Sequence, residues 1–172
     1  MANLRDDAFW EAPMQEPLAP RQGRRSRGRN RPATREERLE TRGRARALQA
    51  LYAADLRDLG QIKRIATTVF DDLAIDPAER LFASRIVATV ADRGAALDAA
   101  LSDVTANWRL ERLGAIERSV LRLAAAELAR EETPVKVVLQ EAVRLAERYG
   151  TERSARFVNG VLDAYARRLG RL

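Results

Sequence analysis

Arg156-Phe157-Val158-Asn159-Gly160-Val161-Leu162-Asp163, near the end of the 172-residue chain, is the stretch whose reading decides the fold. Apolar side chains at 157, 158, 161, 162, 165 and 169 make the stripe of a helix packed on one face against a core. Asn159 and Gly160 interrupt that pattern. Glycine inside a helix costs about 1 kcal/mol relative to alanine, so Gly160 is expected to let another backbone or a ligand come close. Phe157 and Asn159 lie about 200° apart around the helix axis. A final core helix with a tolerated glycine is the competing reading.

Working back from this stretch, each segment repeats the helical period. Thr133-Pro134 opens a helix over 134–149, apolar at Val137, Val138, Ala142, Leu145, Ala146 and Tyr149 and ended by Gly150. Residues 115–131 form another. Between 107 and 114 a short helical turn carries Trp108, read as an anchor at a seam between sub-bundles. Asp76-Pro77-Ala78-Glu79 supplies an N-cap, a first-turn proline and an acidic third position. It starts a long helix through Leu81, Phe82, Ile86, Val90, Leu97, Leu101 and Val104, with a bend possible at Gly94. A helix over 61–74 precedes it. Thr34-Arg35-Glu36-Glu37 is a capping box for a helix running to about Leu59. That first helix is core-forming at Leu48, Leu51, Tyr52, Leu56 and Leu59, and basic in its first half at Arg35, Arg38, Arg42, Arg44 and Arg46. Nothing alternates with period two. The expectation is an all-α bundle of about seven helices, residues 35–172, behind an arm at 1–34.

Charge is segregated along the chain. Of the net charge of +6, residues 1–46 supply +5, with twelve Arg against seven acids. The run 21–31 holds six arginines among Gly, Ser and Asn, which cannot form an apolar face, so 1–34 reads as a disordered basic arm. Such an arm either solubilises or holds nucleic acid nonspecifically through counterion release. The chain has no cysteine and no histidine. That removes disulfides, thiolate metal sites, the commonest general base and the commonest transition-metal ligand. With no Walker or dinucleotide-type glycine motif either, enzymatic function is disfavoured and no cofactor or metal is expected. Lacking a long apolar run or a signal-peptide core, the protein is expected to be soluble and cytoplasmic, without a membrane partner.

Four stretches, in order, resemble one family. They are 42–52 (RGRARALQALY), Trp108 through Glu127 with its I-E-R-x-V-L-R-L-A run, 134–146 (PVKVVLQEAVRLA) and 157–163 (FVNGVLD). Together they are similar to the NusB family of bacterial transcription antitermination factors over about 42–168. The resemblance implies an all-helical fold of two stacked three-helix sub-bundles. It further implies binding of the boxA element of nascent ribosomal RNA together with NusE, a small-subunit ribosomal protein. That complex would join the RNA polymerase elongation complex with other Nus factors.

On that footing Arg42, Arg44 and Arg46 are expected to position the RNA backbone, with Arg122 and Lys136 extending the basic surface. Phe157 with Asn159 is expected to read bases by stacking and polar edges, whereas Tyr52 is weighted toward the core. Glu117 matches a family position facing NusE; Arg118 and Arg153 join it as expected partner contacts. Two departures from the family pattern stand out. Glu40-Thr41 replaces basic residues, for which the arginines at 21–31 would compensate, and Arg153 stands where some members carry an acid. The same helical fold also precedes the catalytic domain of ribosomal RNA cytosine methyltransferases. A chain ending at Leu172 without cysteine is not expected to be that enzyme. A helical scaffold with only nonspecific RNA affinity remains the alternative, and a homodimer through the RNA-facing surface stays open.

Overall fold

The computed structural model describes residues 33–105 and 109–172. The Arg-rich arm and the expected Trp108 anchor lie outside the described residues. Those residues form six α-helices: α1 (Arg35–Arg57), α2 (Ile62–Asp72), α3 (Pro77–Val104), α4 (Ala115–Arg130), α5 (Val135–Tyr149) and α6 (Glu152–Arg168). Short 3-10 turns sit at Leu59–Gln61 and Leu110–Arg112. The second is what remains, among described residues, of the seventh helical segment expected near 107–114. None of these helices is long and apolar enough to cross a membrane.

The boundaries follow local chemistry. The Thr34 hydroxyl accepts the Glu37 N–H at 3.1 Å, and the Glu37 carboxylate accepts the Thr34 N–H at 2.6 Å. Two of the donors left unpaired at a helix start are thereby satisfied. Asp58 stops α1 in an extended conformation and accepts the Gly60 N–H at 2.9 Å. At the head of α3, Asp76 accepts the Ala78 N–H at 2.9 Å, and Pro77 occupies a position whose N–H would have no helical partner. Gly94 does not interrupt α3, which runs on to Val104.

The helices α1, α2 and α3 pack on one another, as do α4, α5 and α6, and α4 also seats against α1 and α3. Consequently α4 is enclosed on all sides: every residue from Ser119 to Leu128 is buried. A helix covered all round must be apolar all round or must neutralise its polar groups internally. Val120, Leu121, Leu123, Ala124, Ala125, Ala126 and Leu128 meet the first condition; Arg122 and Glu127 meet the second, as described below. Gly43 fixes the α1–α3 contact. A Cβ built there would lie 2.7 Å from Cδ1 of Phe82 and 3.0 Å from its Cβ.

The apolar stripes read from the sequence are wider than the faces the fold covers. Leu56 is 61% and Leu81 58% exposed, and Tyr52 and Tyr149 stand more than a third exposed. On α1 the covered face is narrower because alanines at 47, 50 and 54 fill it beside Leu48 and Leu51. Tyr52 and Leu56 are left on its outer edge. Tyr52, weighted toward the core from sequence, is thus a surface side chain.

Candidate nucleic-acid interface

The arginines of α1 separate into two environments because alternate residues on a helix point about 200° apart. Arg42 is exposed and pairs through Nε with Oε1 of Glu79. Arg46, one turn on, holds its Nε 3.6 Å from the other Glu79 oxygen and donates from Nη1 to Gln49 at 3.2 Å. Glu79 is nearly buried in the first turn of α3. One enclosed carboxylate therefore faces two guanidinium groups, that of Arg42 exposed and bonded to it, that of Arg46 half-buried with its Nε enclosed and not hydrogen-bonded. Each guanidinium has five N–H donors, so the Arg42 pair leaves its terminal nitrogens available on the outer side.

Arg44 does not belong to this surface. Its side chain is 1% exposed, forks onto Glu127 with bonds of 2.9 and 2.8 Å, reaches Glu40 at 3.4 Å, and lies over the Phe82 ring at 5.0 Å. Burial works against its charge, but the Glu127 bonds and the charges of Glu127, Glu40 and Glu141 outweigh that and raise its pKa. The expected backbone contact from Arg44 is corrected accordingly. A phosphate would have to displace a buried bidentate partner to reach it.

Arg122 is likewise withdrawn. It is 7% exposed and bonds Asp98 at 2.8 and 2.7 Å and Asp55 at 2.6 Å. Arg118 shares Asp55 at 2.9 and 2.6 Å and donates to the Leu113 carbonyl at 2.7 Å, tying the 3-10 turn to α1. Burial pushes the Asp55 carboxyl up, yet the hydrogen bonds and charges of Arg118 and Arg122 bring it below its usual value. An Arg118 engaged in this way is a strut between α1 and α4, with its fork already taken. Sequence could not separate these arginines from the exposed ones, because the carboxylates that take their forks lie 24 to 83 residues away.

The remaining expected residues sit as follows. Lys136 and Asn159 are exposed; Phe157 is half-buried and packs against the core, so its ring is only partly available. Arg153 is exposed near the start of α6. Glu117 is half-buried and accepts the Ser154 hydroxyl, linking α4 to the first turn of α6. Gly160 is exposed with no atom within 4 Å of a Cβ built on it, so no neighbour inside the fold needs a glycine there.

One region escapes the sequence reading. Lys136, Gln140, Arg144 and Arg148 follow one another at four-residue intervals on the exposed side of α5. Arg144 and Arg148 then meet Arg42 and Thr41 across a cleft between α1 and α5, with Ala45, Leu145, Glu141 and Tyr149 completing its walls. The four-residue spacing is a signal present in the sequence, but Tyr149 falls by spacing into the apolar stripe.

An all-α bundle with outward arginines on two neighbouring helices defines a class, a helical module with a cationic face suited to nucleic acid. The chain belongs to the NusB family, whose description it matches over residues 41–167. The transcription antitermination protein NusB of Sorangium cellulosum is 46% identical over 131 residues, spanning 76% of this chain and 93% of that protein. Its counterpart in Bacillus subtilis is 38% identical, spanning 70% and 88%. Among solved structures, T. maritima NusB superposes with a TM-score of 0.69 at 32% identity, covering 74% of this chain and 90% of that one. A complex of antitermination factors NusB and NusE with double-stranded RNA contains a chain matching at TM-score 0.68 and 29% identity, covering 76% and 98%.

Proposed function

We propose that this protein is a transcription antitermination factor that binds boxA RNA together with NusE and joins the RNA polymerase elongation complex. The observation that carries the reading is family membership across nearly the whole described domain, 41–167, including a relative solved with NusE and RNA. In this reading Arg42, Arg46 and Lys136 hold phosphates, and Asn159 with the open part of the Phe157 ring contacts bases. Glu117 and Arg153, at adjoining helix starts, face NusE. Arg44, Arg118 and Arg122 act behind this surface by fixing α1, α3 and α4 to one another.

The test is equilibrium binding to a boxA RNA and a scrambled control. Full-length protein and a variant lacking residues 1–34 are compared at two salt concentrations, with and without NusE. The expected result is a boxA preference that survives loss of the arm and sharpens with NusE. A preference that vanishes with the arm, or never appears, would mean a scaffold with nonspecific RNA affinity.

A further inference from the structure

A larger cleft, of about 750 Å³, opens between the head of α2 and the middle of α3. Lys63 and Arg64 stand on its α2 wall, and Ala91, Asp92, Gly94 and Ala95 on its α3 wall. Gly94 lies about 22 Å along α3 from Glu79, which faces Arg42 and Arg46. None of the residues assigned above to RNA or NusE lines this cleft. Gly94 is the first feature to explain. Glycine inside a helix is costly relative to alanine, yet a Cβ built there meets nothing within 4 Å, and α3 runs through it unbroken. The fold itself gives this glycine no task. Ala91 and Ala95 beside it are exposed, so the α3 backbone is nearly bare along one side of the cleft.

Charge is the second feature. Lys63 Nζ bonds Asp92 at 2.8 Å across the seam, and both side chains are 63% exposed. Exposed pairs of this kind contribute little and exchange readily. Arg64 is exposed and has no ion pair among the described residues. The rim therefore carries two cations on its α2 side and an accessible carboxylate on its α3 side.

We propose that this cleft is a self-association surface, on which a second copy of the chain lays its own α3 across Gly94. A two-fold contact needs one patch that carries its own complement, and this rim does. Lys63 and Arg64 of each copy meet Asp92 of the other, so one weak pair within each chain is exchanged for contacts between chains. The bare turn from Ala91 to Ala95 enters the opposite cleft, where small side chains let helix axes approach to about 8–10 Å. A nucleic acid would be opposed by Asp92, and a partner of one charge sign would leave either the carboxylate or the cations unmatched. This dimer differs from one built on the RNA-facing surface, because it leaves Arg42, Lys136 and Asn159 uncovered on both copies. It stands independently of the RNA-binding reading.

The experiment is sedimentation velocity of the full-length protein over rising concentration. One variant joins Lys63→Glu with Arg64→Glu; a second is Asp92→Lys; a third is Gly94→Leu. Each alone should raise the dimer dissociation constant by at least about tenfold, since like charges or a bulky side chain then meet at the contact. Gly94→Leu should melt no lower than wild type, because nothing inside the fold opposes it. An equimolar mixture of the first two variants should associate again, every like-charge contact having become an opposite-charge one. Misfolded chains cannot rescue each other in this way. Wild-type protein that stays monomeric at every concentration would overturn the proposal. A dimer untouched by all three variants and dissociated by boxA RNA would place self-association on the RNA-facing surface, and would equally overturn it. So would a mixture of the charge variants that fails to associate.

Discussion

Arg42 and Arg44 are two residues apart on one helix, yet one stands in solvent and the other is sealed beneath α1. The comparison extends to the whole molecule. Arg44 and Arg122 are buried and Arg118 nearly so, all paired with acids distant in sequence; Arg42, Arg144 and Arg148 are exposed and converge on a cleft. The buried set contributes only as pairs, because an uncompensated charge inside the bundle is far more costly than an absent surface interaction. The exposed set contributes little to stability, since surface ion pairs are worth about 0–1 kcal/mol. It is free to serve binding.

The largest effect that would break this comparison is at Arg44. Arg44→Met strands the Glu127 carboxylate, 4% exposed, and should cost about 3–5 kcal/mol in denaturant unfolding. Adding Glu127→Met should recover most of the loss, because two apolar side chains of similar volume replace a pair instead of half of one. A single variant as stable as wild type would show that the Arg44 pair is not the buried interaction described here.

Acid should act through the second buried cluster. The folded-state pKa of Asp55 lies below its unfolded value because Arg118 and Arg122 hold the charged form against burial. Its contribution to stability is therefore complete above about pH 4, the unfolded value. It is lost as pH falls from there through the lower folded value. Unfolding followed from pH 6 to pH 2 should show a decline that Asp55→Asn flattens. An identical pH profile in the variant would count against this linkage.

How far the sequence could be read follows from the same contrast. Caps and periods are local, so the starts of α1 at Thr34 and of α3 at Asp76, and the ends of α1 and α5, were all legible within two residues. From them an all-α bundle of about seven helices is expected, where the described residues form six; the two packed groups come from the family resemblance. Burial of a charge is not local. Arg42, Arg44 and Arg46 look alike until Glu127 and Glu79 are placed beside them from other helices. The cleft is invisible in the sequence for a related reason. Tyr149 fits an apolar stripe by spacing, and only the separation of α1 from α5 above α4 leaves it open.

Two glycines sharpen the contrast at intermediate size. Gly43→Ala drives a Cβ into Phe82 where α1 crosses α3. Overpacking of that kind outweighs the gain in helix propensity, and the net cost should be about 1–2 kcal/mol. Gly160→Ala meets nothing and should stabilise α6 by about 1 kcal/mol. If Gly160 serves a close approach from outside, the stabilised variant should bind RNA or NusE more weakly than wild type. Unchanged binding would make Gly160 a tolerated residue only. The opposite signs of the two melting shifts separate an internal packing role from an external one.

The smallest stability effects belong to the surface pair on α1. Glu79 is nearly buried and faces both Arg42 and Arg46, so each arginine can stand in for the other. Arg42→Ala should change stability by less than about 1 kcal/mol, while flattening the RNA salt slope by about 0.7. Arg46→Ala should behave similarly. The double variant should not be additive in unfolding experiments, because it leaves Glu79 enclosed without a cation and adds the cost of an unpaired carboxylate. In RNA binding the two slope changes should simply sum, each reflecting a separate phosphate. Coupling in stability combined with additivity in binding is what a shared internal anchor under two outward cations requires.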